Sequence, residues 1–434
     1  MRILQLTPGT GSFFCGSCLR DNDLVEHLRR LGHDAQIAPL YLPFKLEDAR
    51  EAAAAQPVHM GGINVYLQQL APWTRRLPRF LAKVLDAPGL LRFASSRSNM
   101  TDPSGLGPLT LSVLRGEEGR QVGEIEKLVE WMGTLERPDV VMLSNAMLMG
   151  LARRIRERLG CPVVVTMQGE APFLDALAEE HSRRCWETLA ERARDVDAFL
   201  PVSRYTADLM TERMGLDPAK VHVVHNGIAL EGLEPPEAPP TAPTIGYLAR
   251  LCADKGLPLL VDAYLELRRR GTVPGVRLHA GGVCLTGDEP LVREQERKLE
   301  AAGAMADASL RRGLTREEKI ELLRGATVLS VPALYGESFG LYLLEALACG
   351  VPVVQPEVAA FPEVVAATGG GLLTPPTVEG LADGLEAVLT DPERRAALGA
   401  AGRSAVARDF TSERMARDVA RVCSMVAGTR TASA

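Results

Sequence analysis

Short apolar runs alternate with stretches of helical periodicity from the first residue of the chain. The segment MRILQL at 1–6 is apolar and ends in a Thr-Pro-Gly turn. Leu24, Leu28 and Leu31 then recur at helical spacing ahead of Gly32, a residue type that commonly ends helices. The pattern predicts a strand, a glycine-rich loop, a helix and a second strand.

The same alternation continues to about residue 230. Apolar runs lie within 138–144, 161–170 and 197–203, and the first two are rich in valine. Short strands separated by helical stretches indicate a parallel sheet that helices cover on both faces. We therefore interpret residues 1–230 as one Rossmann-like domain.

Prolines interrupt this pattern in the middle of the chain. The stretch EGLEPPEAPPTAP at 231–243 can continue neither a helix nor a central strand, and we interpret it as an interdomain linker. The alternation resumes with TIGYLAR at 244–250 and includes PVVQP at 352–356. Residues 244–409 are thus predicted to form a second Rossmann-like domain, which makes the fold class α/β.

One further amphipathic helix is predicted within 410–434. Met415, Val419, Val422 and Val426 lie on one helical face. An apolar face needs a partner, and we expect this helix to dock back on the first domain. Ligands of parallel sheets bind at the carboxyl ends of the strands, so we expect a site in a cleft between the two domains.

Charge and composition argue against several partners and locations. The formal net charge of -6 at pH 7 argues against nucleic acid, because binding its phosphates needs a basic face. No apolar run approaches the roughly 20 residues that cross a bilayer, and the first residues lack the layout of a signal peptide. The eight cysteines are scattered, which fits a reducing compartment. We expect a cytoplasmic protein.

The densest chemical signal lies in YGESFGLYLLEALACGVPVV at 335–354. Ser338 and the flanking glycines predict a turn ahead of a helix, whose first N–H groups favour an anion such as phosphate. Glu345, about two turns into that helix, can accept both hydroxyls of a ribose. Glu337 in the turn would lie near a sugar attached to the phosphates. The competing interpretation is that both carboxylates are merely solvated.

Two cations favour the ligand-binding interpretation. Arg250 and Lys255 follow the first strand of the second domain and precede its first helix. Two cations at the carboxyl end of a strand can neutralise a diphosphate. The arginine can donate two parallel N–H groups, and the lysine acts as a single compact charge.

These residues together resemble the retaining glycosyltransferase family 4. Four short pieces carry the resemblance: Glu337-x7-Glu345, Arg250-x4-Lys255, NGI at 226–228 and FPEVV at 361–365. The resemblance implies a GT-B fold, in which two Rossmann-like domains face a central cleft. It also implies that the second domain binds most of a nucleotide-sugar donor and the first domain binds most of the acceptor.

The resemblance assigns a role to each matching residue. Arg250 and Lys255 would hold the donor diphosphate. Glu345 would bind the ribose, and Glu337 the hydroxyls of the transferred sugar. The turn and helix start would contact the donor through Ser338, Phe339, Gly340 and Leu341. The loop at Gly16 resembles the glycine loop that closes over the donor.

One position departs from the family pattern. Many members have a His-Gly pair after the strand that here ends in VVVTM, whereas this chain has Gln168 and Gly169. The Gln168 side chain can still donate a hydrogen bond to a sugar hydroxyl, but it cannot become a cation. We include Gln168 among the predicted donor-binding residues.

The resemblance implies a retaining reaction that needs no metal or other cofactor. The two cations and the helix start would stabilise the departing phosphate, which in this family is thought to take the acceptor proton. Two D-x-D triplets, Asp21 to Asp23 and Asp195 to Asp197, match metal-dependent sugar transferases. A three-letter match is weak evidence, so we predict no metal site.

Several interpretations stay open on the acceptor side. The acceptor can be a sugar, a lipid-linked molecule or a small molecule, and the pattern favours no oligomeric state. The glycine loop at 59–66 either lines the acceptor side or is a structural turn. Segment 73–97 has six cations and one acid among apolar residues. It either rests peripherally on a membrane that holds a lipid acceptor or is a solvated basic insertion, which we favour. Cys15 and Cys18 fit the glycine loop better than a zinc or redox site.

Two other functions remain compatible with these residues. A nucleotide-sugar epimerase of GT-B shape would bind a similar donor and would form product without an acceptor. A non-catalytic binding protein, suggested by the Gln168 departure, would bind the donor without turning it over.

Overall fold

The chain folds into two compact units, each built around its own parallel sheet. A computed structural model describes residues 1–9, 16–41, 106–238 and 240–431. The first unit contains Met1–His225 and the C-terminal segment from Ser412, and the second contains Asn226–Thr411. The described part of segment 231–243 therefore belongs to the second unit. The predictions for Cys15, 59–66 and 73–97 lie outside the described residues.

The first unit contains a five-stranded sheet. Its strands are β1 (Arg2–Thr7), β2 (Asp34–Pro39), β3 (Val140–Leu143), β4 (Val163–Met167) and β5 (Ala198–Pro201). They lie in the order β2-β1-β3-β4-β5, and neighbouring strands are parallel. Strands β3 and β4 are buried along their whole length, as their valine-rich runs predict for strands covered on both faces.

Helices cover both faces of this sheet. They include α1 (Gly16–Arg30), α2 (Gly107–Leu114), α3 (Val122–Met132), α4 (Ala152–Leu159), α5 (Ala171–Asp175), α6 (Glu179–Arg192) and α7 (Arg204–Met214). Ile3 packs in the same apolar cluster as Leu24 of α1, whereas Leu4 packs in the cluster on the opposite face. Successive strand residues point to opposite faces, so β1 contributes to both cores.

The second unit contains a six-stranded sheet. Its strands are β6 (Thr244–Leu248), β7 (Arg277–Gly282), β8 (Ala308–Arg312), β9 (Val328–Leu329), β10 (Val353–Pro356) and β11 (Gly371–Thr374). Their order is β11-β10-β9-β6-β7-β8, again with parallel neighbours. All carboxyl ends therefore lie at one edge of the sheet, where ligands of such sheets bind.

The second unit also alternates strands with helices. They are α8 (Leu257–Arg270), α9 (Glu289–Ala301), α10 (Arg316–Arg324), α11 (Leu341–Ala348), α12 (Phe361–Thr368), α13 (Val378–Leu389) and α14 (Pro392–Asp409). The start of α10 is fixed by a capping box. The Thr315 side chain accepts from the Glu318 N–H, and the Glu318 carboxylate accepts from the Thr315 N–H.

A final helix, α15 (Ser412–Thr431), returns to the first unit. Its residues Met415, Val419, Val422 and Val426 pack in the apolar cluster that contains Leu24 of α1. The fold class is thus α/β with two parallel sheets, as the alternating pattern predicts. Within the described ranges, the chain has no helix with the length and apolar character to cross a membrane.

Candidate functional site

Loops after three neighbouring strands of the second sheet carry predicted donor-site residues and one further acid, Asp288. Strand β6 lies between β7 and β9. Arg250 and Lys255 follow β6, Glu337 follows β9, and Asp288 follows β7. Because parallel strands end at the same edge of a sheet, these side chains lie close together although up to 87 positions separate them in the sequence.

Lys255 and Glu337 form a direct ion pair. Nζ of Lys255 lies 2.6 Å from Oε2 of Glu337. The Tyr342 hydroxyl donates to the same oxygen at 2.8 Å, and the Phe339 N–H donates to Oε1 at 3.3 Å. The side chain of Glu337 is 8% exposed, whereas that of Lys255 is 33% exposed. A nearly buried carboxylate thus has a hydrogen-bond donor at each oxygen, as a buried charge requires.

These contacts set the protonation states of the Glu337 carboxylate and the Tyr342 hydroxyl. Burial alone raises the pKa of Glu337, but the Lys255 ammonium, the Tyr342 hydroxyl and the Phe339 N–H outweigh it, and the pKa is lowered. Glu337 is therefore ionised at neutral pH. Burial and the neighbouring Glu337 carboxylate raise the pKa of Tyr342 well above its usual value, so its hydroxyl stays protonated and donates.

Arg250 is held by a carboxylate that the sequence motifs do not identify. Its Nε lies 2.7 Å from Oδ2 of Asp288, and its NH2 lies 2.8 Å from Oδ1. Oδ2 also accepts the Leu285 N–H at 3.2 Å. The Asp288 side chain is 10% exposed and that of Arg250 is 42% exposed. This bidentate ion pair fixes the plane of the guanidinium. It uses Nε and NH2 of Arg250 and does not use NH1.

The turn ahead of α11 has the geometry of an anion site. Gly340 has a φ of 85°, in the left-handed region that favours glycine, and α11 begins at Leu341. The first N–H groups of a helix have no partner within the helix and favour a negative charge. Phe339 is buried, with its ring centroid 6.2 Å from that of Phe410, and Ser338 is half-buried beside it.

Glu345 lies on the same helix as this turn. Because α11 begins at Leu341, Glu345 is about one turn into the helix, and the prediction of two turns is wrong. Its Oε1 lies 3.7 Å from Nζ of Lys319 on α10. The carboxylate is half-buried, so it has a cationic neighbour and some access to solvent.

Gln168 lies at the corresponding edge of the first sheet. Its Nε2 donates to the Ser144 carbonyl at 2.7 Å and to Oδ1 of Asp21 at 3.4 Å. Asp21 is buried, pairs with Arg20 at 3.0 Å and accepts a hydrogen bond from the Ser144 hydroxyl. Both amide hydrogens of Gln168 thus point to protein groups. The predicted donation to a sugar hydroxyl would require Gln168 to change partners.

The backbone beside Gln168 is held by a buried carboxylate. Glu170 accepts the N–H groups of Ala146, Gln168 and Gly169. Burial raises the pKa of Glu170, and these N–H groups together with its own N–H only partly oppose this effect. Gly16, the residue of the predicted glycine loop, is the first residue of α1, and residues 10–15 ahead of it lie outside the described ranges.

Asp21, Asp195 and Asp197 of the two D-x-D triplets have basic partners. Asp195 lies 3.0 Å from Arg153, and Asp197 lies 3.5 Å from Arg156. Asp21 pairs with Arg20, as described above. Across the described part of the chain, no group of three or more His, Cys, Asp or Glu side chains is arranged to hold a metal ion.

Three residues next to the predicted site have no motif that would identify them. Tyr342 contacts Glu337, Asp288 contacts Arg250, and Ser144 contacts Gln168. The signal for Asp288 and Ser144 is the order of the strands. Asp288 follows β7, which lies beside the β6 that precedes Arg250, and Ser144 follows β3, which lies beside the β4 that precedes Gln168. Tyr342 follows Glu337 by five residues and meets it only because the turn at Gly340 folds the helix start back.

Comparison with known proteins identifies the class. Residues 21–227 match the model of a glycosyl transferase 4-like domain, and residues 233–405 match the model of glycosyl transferases group 1. Each of the two matches falls almost wholly within one unit. Two matched domains, each with a parallel sheet, define a GT-B glycosyltransferase.

Individual relatives narrow the class to a family. The chain is 30% identical to the alpha-maltose-1-phosphate synthase of Mycolicibacterium smegmatis over 303 residues, which are 62% of this chain and 75% of that protein. It is 30% identical to the D-inositol 3-phosphate glycosyltransferase of Mycobacteroides abscessus over 236 residues, 51% of each chain. The structure of Anabaena HepE in complex with UDP and glucose has a TM-score of 0.68 and 17% identity, with 98% of this chain and 100% of that chain covered. The chain belongs to the family-4-like glycosyltransferases.

Proposed function

We propose that this protein is a retaining, metal-independent glycosyltransferase that moves a sugar from a nucleotide-sugar donor to an acceptor. The observation that carries the proposal is the pairing of Lys255 with Glu337 beside Arg250, at adjacent strand ends of the unit that matches the group 1 model. In this arrangement cations suited to a diphosphate lie next to a carboxylate suited to sugar hydroxyls.

The proposed chemistry centres on the leaving group. Breaking a glycosyl phosphate bond places negative charge on the departing phosphate, so groups that bind this charge best in the transition state accelerate the reaction. Arg250, Lys255 and the N–H groups at the start of α11 would supply that stabilisation. The acceptor would attack from the face that the phosphate leaves, and a phosphate oxygen would take its proton. This route needs no carboxylate nucleophile.

The remaining residues would orient the donor. Glu345 would accept the ribose hydroxyls, and Glu337 would accept hydroxyls of the transferred sugar through the oxygen that Lys255 does not occupy. The described complex of HepE with UDP and glucose makes UDP-sugars the first donors to test. The name of the M. abscessus relative makes D-inositol 3-phosphate a reasonable first acceptor, beside sugars and lipid-linked molecules.

A donor panel tests the proposal directly. Purified protein is mixed with UDP-, GDP- and ADP-sugars, and thermal stabilisation and nucleotide release are measured for the wild type, Arg250→Ala and Glu345→Ala. We expect one donor to stabilise the wild type and each variant to bind it roughly tenfold or more weakly, because each loses a charged hydrogen-bond partner. Arg293→Ala is the control, since Arg293 lies on the exposed side of α9.

The products decide between the proposed function and its rivals. Retention predicts the same anomeric configuration in product and donor, and metal independence predicts unchanged turnover in EDTA. Formation of a new nucleotide sugar without an acceptor would indicate an epimerase, and donor binding without turnover across the acceptor panel would indicate a binding protein. If no donor stabilises the wild type, or if both variants respond like the wild type, the proposed donor site is wrong.

A further inference from the structure

Tyr342 contacts both members of the Lys255–Glu337 pair. It is the second residue of α11, and its hydroxyl donates to Oε2 of Glu337 at 2.8 Å. Nζ of Lys255 lies 5.9 Å from the centroid of the Tyr342 ring, within the range of a cation–π interaction. A single side chain therefore touches the cation proposed for the phosphates and the carboxylate proposed for the sugar.

We propose that Tyr342 is a positioning residue that keeps Glu337 in place and ionised when Lys255 turns toward the donor phosphates. This inference rests on the proposed function, and it assigns to Tyr342 a role in the reaction of that same site.

In the proposed reaction Lys255 pairs with two groups in turn, the Glu337 carboxylate and the donor diphosphate. Before the donor binds, its ammonium pairs with Glu337 at 2.6 Å. A diphosphate carries more negative charge than one carboxylate, so it would draw the ammonium toward itself. A carboxylate that is only 8% exposed would then lose its counter-charge, which is costly in a nearly dry environment. The Tyr342 hydroxyl and the Phe339 N–H are the donors that would remain.

The chemistry of Tyr342 suits this role. Burial and the Glu337 charge raise the pKa of its phenol well above the usual value, so it stays protonated and donates at neutral and acidic pH. The titratable groups that act on Glu337 and Tyr342 are Lys255 in the loop after β6, Tyr342 on α11 and Tyr247 on β6, whose own pKa is raised well above the usual value by burial. Neither tyrosine loses a proton near neutral pH, so a change in the acidic limb of activity would report on Glu337.

The test removes only the hydroxyl. We compare Tyr342→Phe with Tyr264→Phe, a control in the same unit whose buried hydroxyl contacts the Val276 carbonyl and Arg268. For Tyr342→Phe we expect kcat/KM for the donor to fall about 10- to 100-fold, as for the loss of a hydrogen bond to a charged group. We also expect the acidic limb of the pH profile to move upward by about one unit, because the ionised form of Glu337 loses a donor. The control should keep the wild-type pH profile.

A double mutant and a spectroscopic measurement separate the possible failures. If Tyr342 acts through Glu337, adding Tyr342→Phe to Glu337→Gln should cost little further activity; an equal, additive loss would overturn the inference. Infrared titration of the carboxyl stretch, with Glu337→Gln identifying the band, should give a higher pKa for Glu337 in Tyr342→Phe. An unchanged pKa would overturn the inference even in a protein that turned over no donor, whereas an inactive wild type alone would count against the proposed function.

Discussion

A carboxylate with little access to water is costly unless it is paired, and Glu337 has a donor at each oxygen. The same requirement applies at Asp21, which Arg20 and Ser144 engage in the first unit. In both places a fully or nearly buried acid supports a more exposed residue that is predicted to meet the ligand. The charged residues of these sites are thus held in place by their contacts with one another.

Replacing Lys255 should reveal the dependence of Glu337 on its partner. We expect Lys255→Met to lower the free energy of unfolding at pH 7 by about 2 kcal/mol, somewhat less than is usual for a broken buried pair because Lys255 is one-third exposed. The measurement is urea unfolding of the wild type, Lys255→Met and Lys255→Met/Glu337→Gln. The double variant should recover part of the loss, since no uncompensated charge remains.

The same variants predict a pH dependence of definite sign. In the wild type the pKa of Glu337 is lowered, so the pair contributes stability above the unfolded carboxyl pKa of about 4.3, and that contribution is lost as the pH falls through the folded value. In Lys255→Met burial dominates and the pKa rises. The deficit of this variant should therefore shrink between pH 7 and pH 4; a deficit that stays constant would contradict the pairing.

The sequence identifies some of these residues and not others, for a physical reason. Arg250, Lys255, Glu337 and Glu345 belong to spacings within single loop-to-helix segments, which a motif records. Asp288 reaches Arg250 only because β7 and β6 are neighbours in the sheet, and strand order is not written in any local pattern. The same holds for Ser144, which reaches Gln168 because β3 and β4 are neighbours.

At the scale of elements, the start of α8 is fitted closely to the loop that leads to Glu337. Gly256, the residue before α8, has a φ of 71°. A Cβ added there would lie 2.0 Å from the Pro332 carbonyl oxygen, at the beginning of that loop. Gly271 at the other end of α8 has a φ of 69° and no atom within 4 Å of an added Cβ. The two glycines therefore share a backbone conformation and differ in surroundings.

Alanine at these two positions should have unequal effects. Gly271→Ala should cost about 1 kcal/mol, the strain of a left-handed residue. Gly256→Ala should cost about 2–4 kcal/mol, because the clash with a backbone carbonyl adds to that strain. Chemical denaturation measures both. We also expect Gly256→Ala to weaken donor binding by displacing the loop at Pro332; equal losses of stability in the two variants would show that this contact has no energetic weight.

The elements themselves follow from the sequence to different degrees. Alternating valine-rich runs and helical stretches predict the parallel α/β arrangement, since strands covered on both faces need continuous apolar sequence. The run VLSVPA, by contrast, forms a strand of only two residues, Val328–Leu329. After this strand the chain leaves the sheet and forms the loop that carries Glu337. The apolar residues at 331–333 therefore bury the start of that loop and do not lengthen the strand.

At the scale of the whole molecule, each unit has its own core, and the first unit is completed by a helix from the far end of the chain. Met415 on α15 is fully buried in the cluster with Ile3 and Leu24. The period of apolar residues predicts that this helix has a face to bury. It does not specify the surface that receives the face, because any apolar sheet face offers the same free energy per unit area.

Truncating Met415 should destabilise the first unit selectively. We expect Met415→Ala to lower the stability of that unit by about 2–5 kcal/mol, as for large-to-small changes in a core. Scanning calorimetry should then resolve a transition at lower temperature for the first unit and an unchanged one for the second. Arg417→Ala, on the exposed side of α15, is the control and should lose only a surface pair with Glu413. A uniform shift of both transitions would contradict the separation of the cores.

The return of α15 also has a consequence for the order of events at the ribosome. All of 226–411 emerges before α15, so the second unit has its complete sequence while the first still lacks the helix that covers Ile3 and Leu24. Domains usually mature in the order of their synthesis. Here the order is reversed at the last step: the unit whose strands are made first is the one that must wait, with an apolar face exposed on the nascent protein until α15 has been synthesised.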